Sequence, residues 1–341
     1  MTDAANPIAA EVTRGGIVES LHRAIAVVCD ASGDIVHRWG DAGRPIFPRS
    51  AIKSIQALPI IETGAAERFA LSDVELALAC ASHGGEPMHV NAVAAWLARI
   101  GLGIEDLECG AQAPIHAPAA EALFRAGETS SAIHNNFSGK HAGMLTTARH
   151  MGEPTRGYIA PDHPVQRRVA ATIGEMCGVD MDAAPLGIDG CSIPTFAIPL
   201  AGLATGMARI ADPSGLGADR AAAVARLCRA VAAHPEMVAG TGRFCTALNR
   251  ESKGRVFAKT GAEGVYVAAV PTLGLGIAVK ADDGAGRAAE VAALGVLRRI
   301  GALDEALAAA LADFIVKPIV NRAGRRTGEV RAARDWPPAA G

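Results

Sequence analysis

The runs with strand character in this chain lie at its two ends, with a largely helical stretch between them. Residues 23–29 are apolar, Asp30-Ala31-Ser32-Gly33-Asp34 is a turn, and residues 35–39 return, which is a β-hairpin signal. Near the other end Val256-Phe257-Ala258 reads as a short strand. Residues 264–270 and 274–280 read as a second hairpin around Pro271-Thr272-Leu273. Between the ends, Asp162 and Pro164 start a helix in which Val165, Val169, Ile173 and Cys177 recur at helical spacing. Residues 219–233, 286–300 and 303–315 also read as helices. This order predicts an α/β (α+β) chain with one antiparallel sheet built from both chain ends, flanked by helices, plus a helical lobe. The expected organisation is a single domain, with a sheet lobe over about 15–60 and 250–330 and a helical lobe over about 61–249.

Composition narrows the partners. The 341 residues are 50% hydrophobic but only 4% aromatic, so a sizeable core is built from small and aliphatic side chains. The net charge of -2, with no long run of one sign, argues against nucleic acid and membrane surfaces as partners. The first residues carry no basic stretch followed by an apolar one, and no window has the length of apolar sequence a membrane span needs. The seven cysteines are scattered, without a CxxC pair, which fits reduced, buried thiols. The expected location is therefore cytoplasmic.

Five segments carry candidate chemistry. Arg49-Ser50-Ala51-Ile52-Lys53 is an S-x-x-K at the start of an apolar stretch. On a helix, residues three apart share a face, so Lys53 can reach the Ser50 hydroxyl. An alcohol is a poor nucleophile until a base takes its proton, and a lysine serves only when neutral, a form that burial or a neighbouring cation favours. Lys259-Thr260-Gly261 ends a strand, and S-x-x-K followed by K-T-G is the signature of serine acyl-transferring hydrolases. Ser82-His83-Gly84-Gly85 follows an apolar helix; it is either a plain helix stop or a loop presenting a hydroxyl, with His83 a capping, packing or acid–base group. Residues 134–143 form a polar loop entering a helix, and Asp189, between Ile188 and Gly190, suits a turn or an exposed carboxylate for a substrate ammonium. Each segment alone has a plain structural reading, but their joint order favours catalysis.

Taken together, these segments resemble the Rhizobium-etli-type bacterial L-asparaginases, the asparaginase II or thermolabile asparaginase family. The resemblance also rests on residues 187–194, on His234-Pro235-Glu236-Met237-Val238-Ala239-Gly240 and on residues 259–266, and runs from about residue 15 to residue 325. It implies the fold shared by serine glutaminases and class A β-lactamases, a homodimer, and hydrolysis of L-asparagine to L-aspartate and ammonia without a cofactor. By position it implies Ser50 as nucleophile, Lys53 as its base, and Ser82 with Lys259 as a second serine–lysine pair. Arg49, His83, Lys140, Asp189, Cys191 and Gly261 are the expected substrate-binding residues. The family commonly holds zinc through a cysteine, a lysine and a second cysteine. Lys140 and Cys191 match two of these, but Phe137 stands at the third, so no tightly bound metal is expected. Three other readings stay open: a glutaminase, a serine β-lactamase or DD-peptidase, and, outside catalysis, an asparagine-binding sensor.

Overall fold

The computed structural model describes residues 5–339. Their contacts divide the chain into two compact units. One comprises the residues up to Ala51, Ile198–Gly215 and those from Glu251 onward; the other comprises Ile52–Ala197 and Leu216–Arg250.

The first unit holds an eight-stranded antiparallel sheet, drawn from both chain ends as the sequence predicts. Its strands are β1 (Ile8–Arg14), β2 (Ile17–Cys29), β3 (Ile35–Trp39), β4 (Phe257–Thr260), β5 (Val265–Val270), β6 (Leu275–Ala281), β7 (Val316–Val320) and β8 (Arg326–Ala332). They run in the order β7-β8-β1-β2-β6-β5-β4, with β3 also on β2. The long strand β2 joins the halves: Ile17 to Arg23 face β1, and Ala24 to Cys29 face β6. Every residue from Ala24 to Cys29 and from Val265 to Val270 is buried, as expected for strands covered on both faces. Alternation along β6 shows the covers. Gly276 lies against the helix Leu200–Ala211, while Ala281 packs with Ala288 and Val291 of the helix Gly286–Arg299. The two positions differ in parity, so the helices sit on opposite faces.

Several elements depart from the sequence reading. Strands β1, β7 and β8 are absent from it. Residues 303–315 are not one helix but two short ones, Glu305–Ala310 and Ala312–Ile315. The helix Leu200–Ala211 falls inside the span expected for the helical lobe, yet clusters with the sheet.

The second unit is mainly helical. It contains Asp73–Ala79, Pro87–Arg99, Ser138–Met151, Pro164–Cys177 and Ala218–Ala233, with a small ribbon, Leu186–Ile188 paired to Pro194–Phe196. Ser138–Met151 is its axis: all its residues from Ser138 to Ala148 are buried, three of them polar or charged besides its two threonines and two glycines. A helix buried all round is ordinarily apolar. Its buried Ser138, Lys140 and His141 therefore mark where polar work is done. No helix of the described residues is long and apolar enough to cross a membrane.

Candidate active site

In the sheet-bearing unit two of the motifs meet. Ser50 sits in a single 3-10 turn, Arg49–Ile52, and Arg49 enters it at φ 52°. A non-glycine residue held in the left-handed region is strained and persists only where its surroundings enforce it, commonly at functional sites. Strand β4 leads into Gly261. A Cβ there would lie 2.7 Å from the Pro48 carbonyl oxygen and 3.1 Å from the Ala51 nitrogen, so glycine lets the K-T-G segment pack directly on the Ser50 turn. Lys259 is fully buried and donates from Nζ to the Thr260 carbonyl at 2.8 Å. Ser50 is 6% exposed, enough to be reached while shielded from bulk water.

In the helical unit Lys53 opens the helix Lys53–Gln56 and is completely buried. Its Nζ donates to the Ser82 hydroxyl oxygen at 3.1 Å and to the Ala81 carbonyl. The lysine of S-x-x-K thus holds the second serine, a contact the sequence does not reveal. Ser82 follows the helix Asp73–Ala79, and its N–H donates to the Val238 carbonyl at 2.8 Å. That bond ties the His234-to-Gly240 segment to Ser82. Three more bonds tie down this segment and the residue after it. His89 Nε2 donates to the Glu236 carbonyl at 3.0 Å, and Glu86 accepts from the Thr241 N–H at 2.8 Å and the Thr241 hydroxyl at 2.6 Å. Burial opposes ionisation of Glu86, but the Thr241 hydrogen bonds hold its carboxyl below the ordinary value. Glu86, His89 and Thr241 escape the sequence reading; an acid directly after Ser-His-Gly-Gly was the available signal.

His83 is fully buried and fully engaged. Its Nδ1 accepts from the Gly85 N–H at 3.1 Å, so its proton sits on Nε2, which donates to the Ser138 hydroxyl at 3.0 Å. Its ring stacks on His89 at 4.8 Å. Burial first, then the charges of His89 and Lys53, hold its pKa well below the ordinary histidine value. A neutral imidazole with both nitrogens in use suits the pinning of one end of the helix Ser138–Met151. His141 is likewise held neutral, by burial and then by Lys140 and Lys53. The Tyr158 hydroxyl accepts from the Glu108 N–H at 3.0 Å and is hydrogen-bonded to His141 Nδ1 at 2.7 Å.

That pinned end carries Phe137 and Lys140. Lys140 Nζ donates to Cys191 Sγ at 3.0 Å, and Cys191 in turn donates to Asp189 Oδ2 at 3.8 Å. Asp189 is almost buried, and Ser192, just beyond, is a second strained residue at φ 75°. The Phe137 ring centroid lies 3.8 Å from Lys53 Nζ and 4.7 Å from Lys140 Nζ, both within cation–π range. A nearby thiol, Cys109, is pushed up to about 12 by burial and then by Cys191, and so stays protonated.

Hence Lys53 with Ser82, His83 with Ser138, and Lys140 with Cys191 and Asp189 lie in the helical unit, while Ser50, Arg49, Lys259 and Gly261 belong to the sheet unit. A buried amine on an alcohol can move a proton, and a buried carboxylate can hold an ammonium. A family model described as L-asparaginase II matches residues 10–332. No curated protein matches. Among solved structures, a β-lactamase from Mycobacterium bovis is similar at 16% identity with a TM-score of 0.41, over 85% of this chain and 94% of that one. The family match spans nearly the whole chain, and the protein is therefore a member of the L-asparaginase II family, an asparaginase-type hydrolase of a linear amide C–N bond.

Proposed function

We propose that this enzyme hydrolyses L-asparagine to L-aspartate and ammonia through an acyl-enzyme on Ser50. Neutral Lys53, three residues further on, takes the proton as the Ser50 oxygen bonds to the side-chain amide carbon. The oxyanion needs N–H donors, for which the Ser50 backbone N–H is the candidate. The C–N bond then breaks and ammonia leaves with a proton returned through the serine–lysine network. Water next attacks the ester carbon, aspartate departs, and Ser50 regains its proton. One water is consumed per ammonia released. Asp189 is assigned the substrate α-ammonium and Arg49 its α-carboxylate, with Lys259 and Ser82 as the second proton-transferring pair. The observation that supports Lys53 as a base is its complete burial, with its Nζ held on the Ser82 hydroxyl at 3.1 Å. Burial disfavours a charged amine, which is what a lysine base requires.

That same hydrogen bond favours a second reading, in which Ser82 is the acylated alcohol. Both readings share the substrate. Purified enzyme is expected to release ammonia from L-asparagine with at least tenfold higher kcat/KM than from L-glutamine, because an extra methylene in a fitted site costs roughly 10- to 200-fold. It is expected to leave nitrocefin intact. Faster turnover of glutamine would make it a glutaminase, nitrocefin cleavage would make it a penicilloyl-serine hydrolase, and tight asparagine binding without ammonia would make it a sensor.

A further inference from the structure

We infer that this enzyme's site is metal-independent, with the Phe137 ring standing where a third metal ligand would be needed and serving as shared electron-rich partner to two lysines. The inference concerns the cluster assigned above to asparagine.

The donor set is the first argument. A metal of the family type needs three protein ligands, and here only Lys140 and Cys191 remain. A phenyl ring has no lone pair to give, and two ligands hold zinc poorly. Among the described residues, no group of three or more histidine, cysteine, aspartate or glutamate side chains can hold a metal ion.

Geometry is the second. Nitrogen and sulfur bound to one tetrahedral zinc at roughly 2.0 and 2.3 Å stand about 3.5 Å apart. Lys140 Nζ and Cys191 Sγ lie at 3.0 Å, the separation of a hydrogen bond. In that bond the amine keeps its proton and points it at the sulfur, whereas a metal ligand must offer its lone pair. The thiol hydrogen is also spoken for, since Cys191 donates to Asp189 Oδ2. Lys140 is thus bonded to Cys191, and Cys191 to Asp189, with no ion between them.

The ring itself is the third. Phe137 is the residue before the helix Ser138–Met151, and its centroid is 3.8 Å from Lys53 Nζ and 4.7 Å from Lys140 Nζ. A thiolate there would attract both amines by its charge. The ring's negative face attracts an ammonium by its quadrupole, and the N–H of a neutral amine such as the Lys53 base more weakly, without an ionisable group. Phe137 is in this sense a positioning residue: it fixes where the two amines sit relative to each other.

Metal content reads this out whether or not asparagine is the substrate. The native enzyme, incubated with zinc and desalted, is expected to retain less than about 0.1 zinc per chain, and Phe137→Leu the same. Phe137→Cys restores the third ligand and is expected to retain about one zinc per chain. With cobalt in place of zinc it is expected to show a thiolate charge-transfer band that is lost on adding Cys191→Ser. Ammonia release by the native enzyme is expected to be unchanged by a chelator. About one zinc per chain in the native protein, lost on Cys191→Ser, overturns the inference even if Phe137→Cys misfolds. So does a Phe137→Cys protein with native circular dichroism and melting temperature that binds no metal.

Discussion

Ser50→Ala is expected to lower ammonia release from L-asparagine by roughly 10⁴-fold or more, in line with nucleophile deletions that leave only binding and oxyanion contacts. The change removes one oxygen from a side chain that is 6% exposed. Such a deletion costs about 1 kcal/mol of stability, and alanine keeps the backbone of the 3-10 turn in which Arg49 sits at φ 52°. Loss of activity with an unchanged circular dichroism spectrum and asparagine affinity is therefore the outcome expected. Activity within tenfold of native would remove Ser50 from the chemistry and leave Ser82 as the alcohol to test.

A large structural effect is expected at Gly276. On β6 a Cβ at this position would lie 2.1 Å from both the Ala204 carbonyl oxygen and the Ala208 nitrogen of the helix Leu200–Ala211. Both are backbone atoms of a helix, which cannot swing aside as a side chain does. Gly276→Ala must push the whole helix from the sheet, an overpacking expected to cost about 3 kcal/mol or more. The comparison is Gly286→Ala, where a Cβ meets nothing within 4 Å. That variant is expected to be neutral or more stable by up to about 1 kcal/mol. Urea unfolding of the two measures the difference. Equal midpoints would mean that the helix does not pack on β6 as closely as described.

The sheet was legible where its strands are buried on both faces. Residues 23–29 and 264–270 are near-continuous apolar runs between turn residues, and they became the inner strands. The outer strands were hidden for a physical reason. β7 alternates exposed and half-buried residues and contains Pro318; β8 carries Arg326, Glu329 and Arg331 around Gly328. On the edge strand β7 such composition blocks unwanted pairing; β8 is paired on both sides, by β7 and β1, but its charged residues around a glycine likewise read as loop in sequence. The break at Leu311 in the expected 303–315 helix was equally silent, because alanine-rich sequence is helical on either side of it.

At the site, residue types and motif order were legible, but partnership was not. Sequence spacing pairs Lys53 with Ser50, one turn away; the structure adds Ser82, 29 residues along the chain, because the Ala81 carbonyl and Ser82 hydroxyl turn together toward the amine. Only folding supplies such a contact. Similarly, His83 looked like a candidate for acid–base or substrate work. Its surroundings show both ring nitrogens committed, one to the Gly85 N–H and one to Ser138. Phe137, by contrast, was already conspicuous as a hydrocarbon among donors, and its two lysine contacts give that substitution a physical consequence.

The central claim is covalent, so its most direct test is to weigh the bond. Enzyme mixed with L-asparagine or an asparagine-like electrophile, quenched in acid within milliseconds and digested, is expected to carry the acyl mass on the peptide containing Ser50. That signal is expected to be absent from Ser50→Ala. An acyl mass on the peptide containing Ser82, or none under conditions of rapid turnover, would contradict the account.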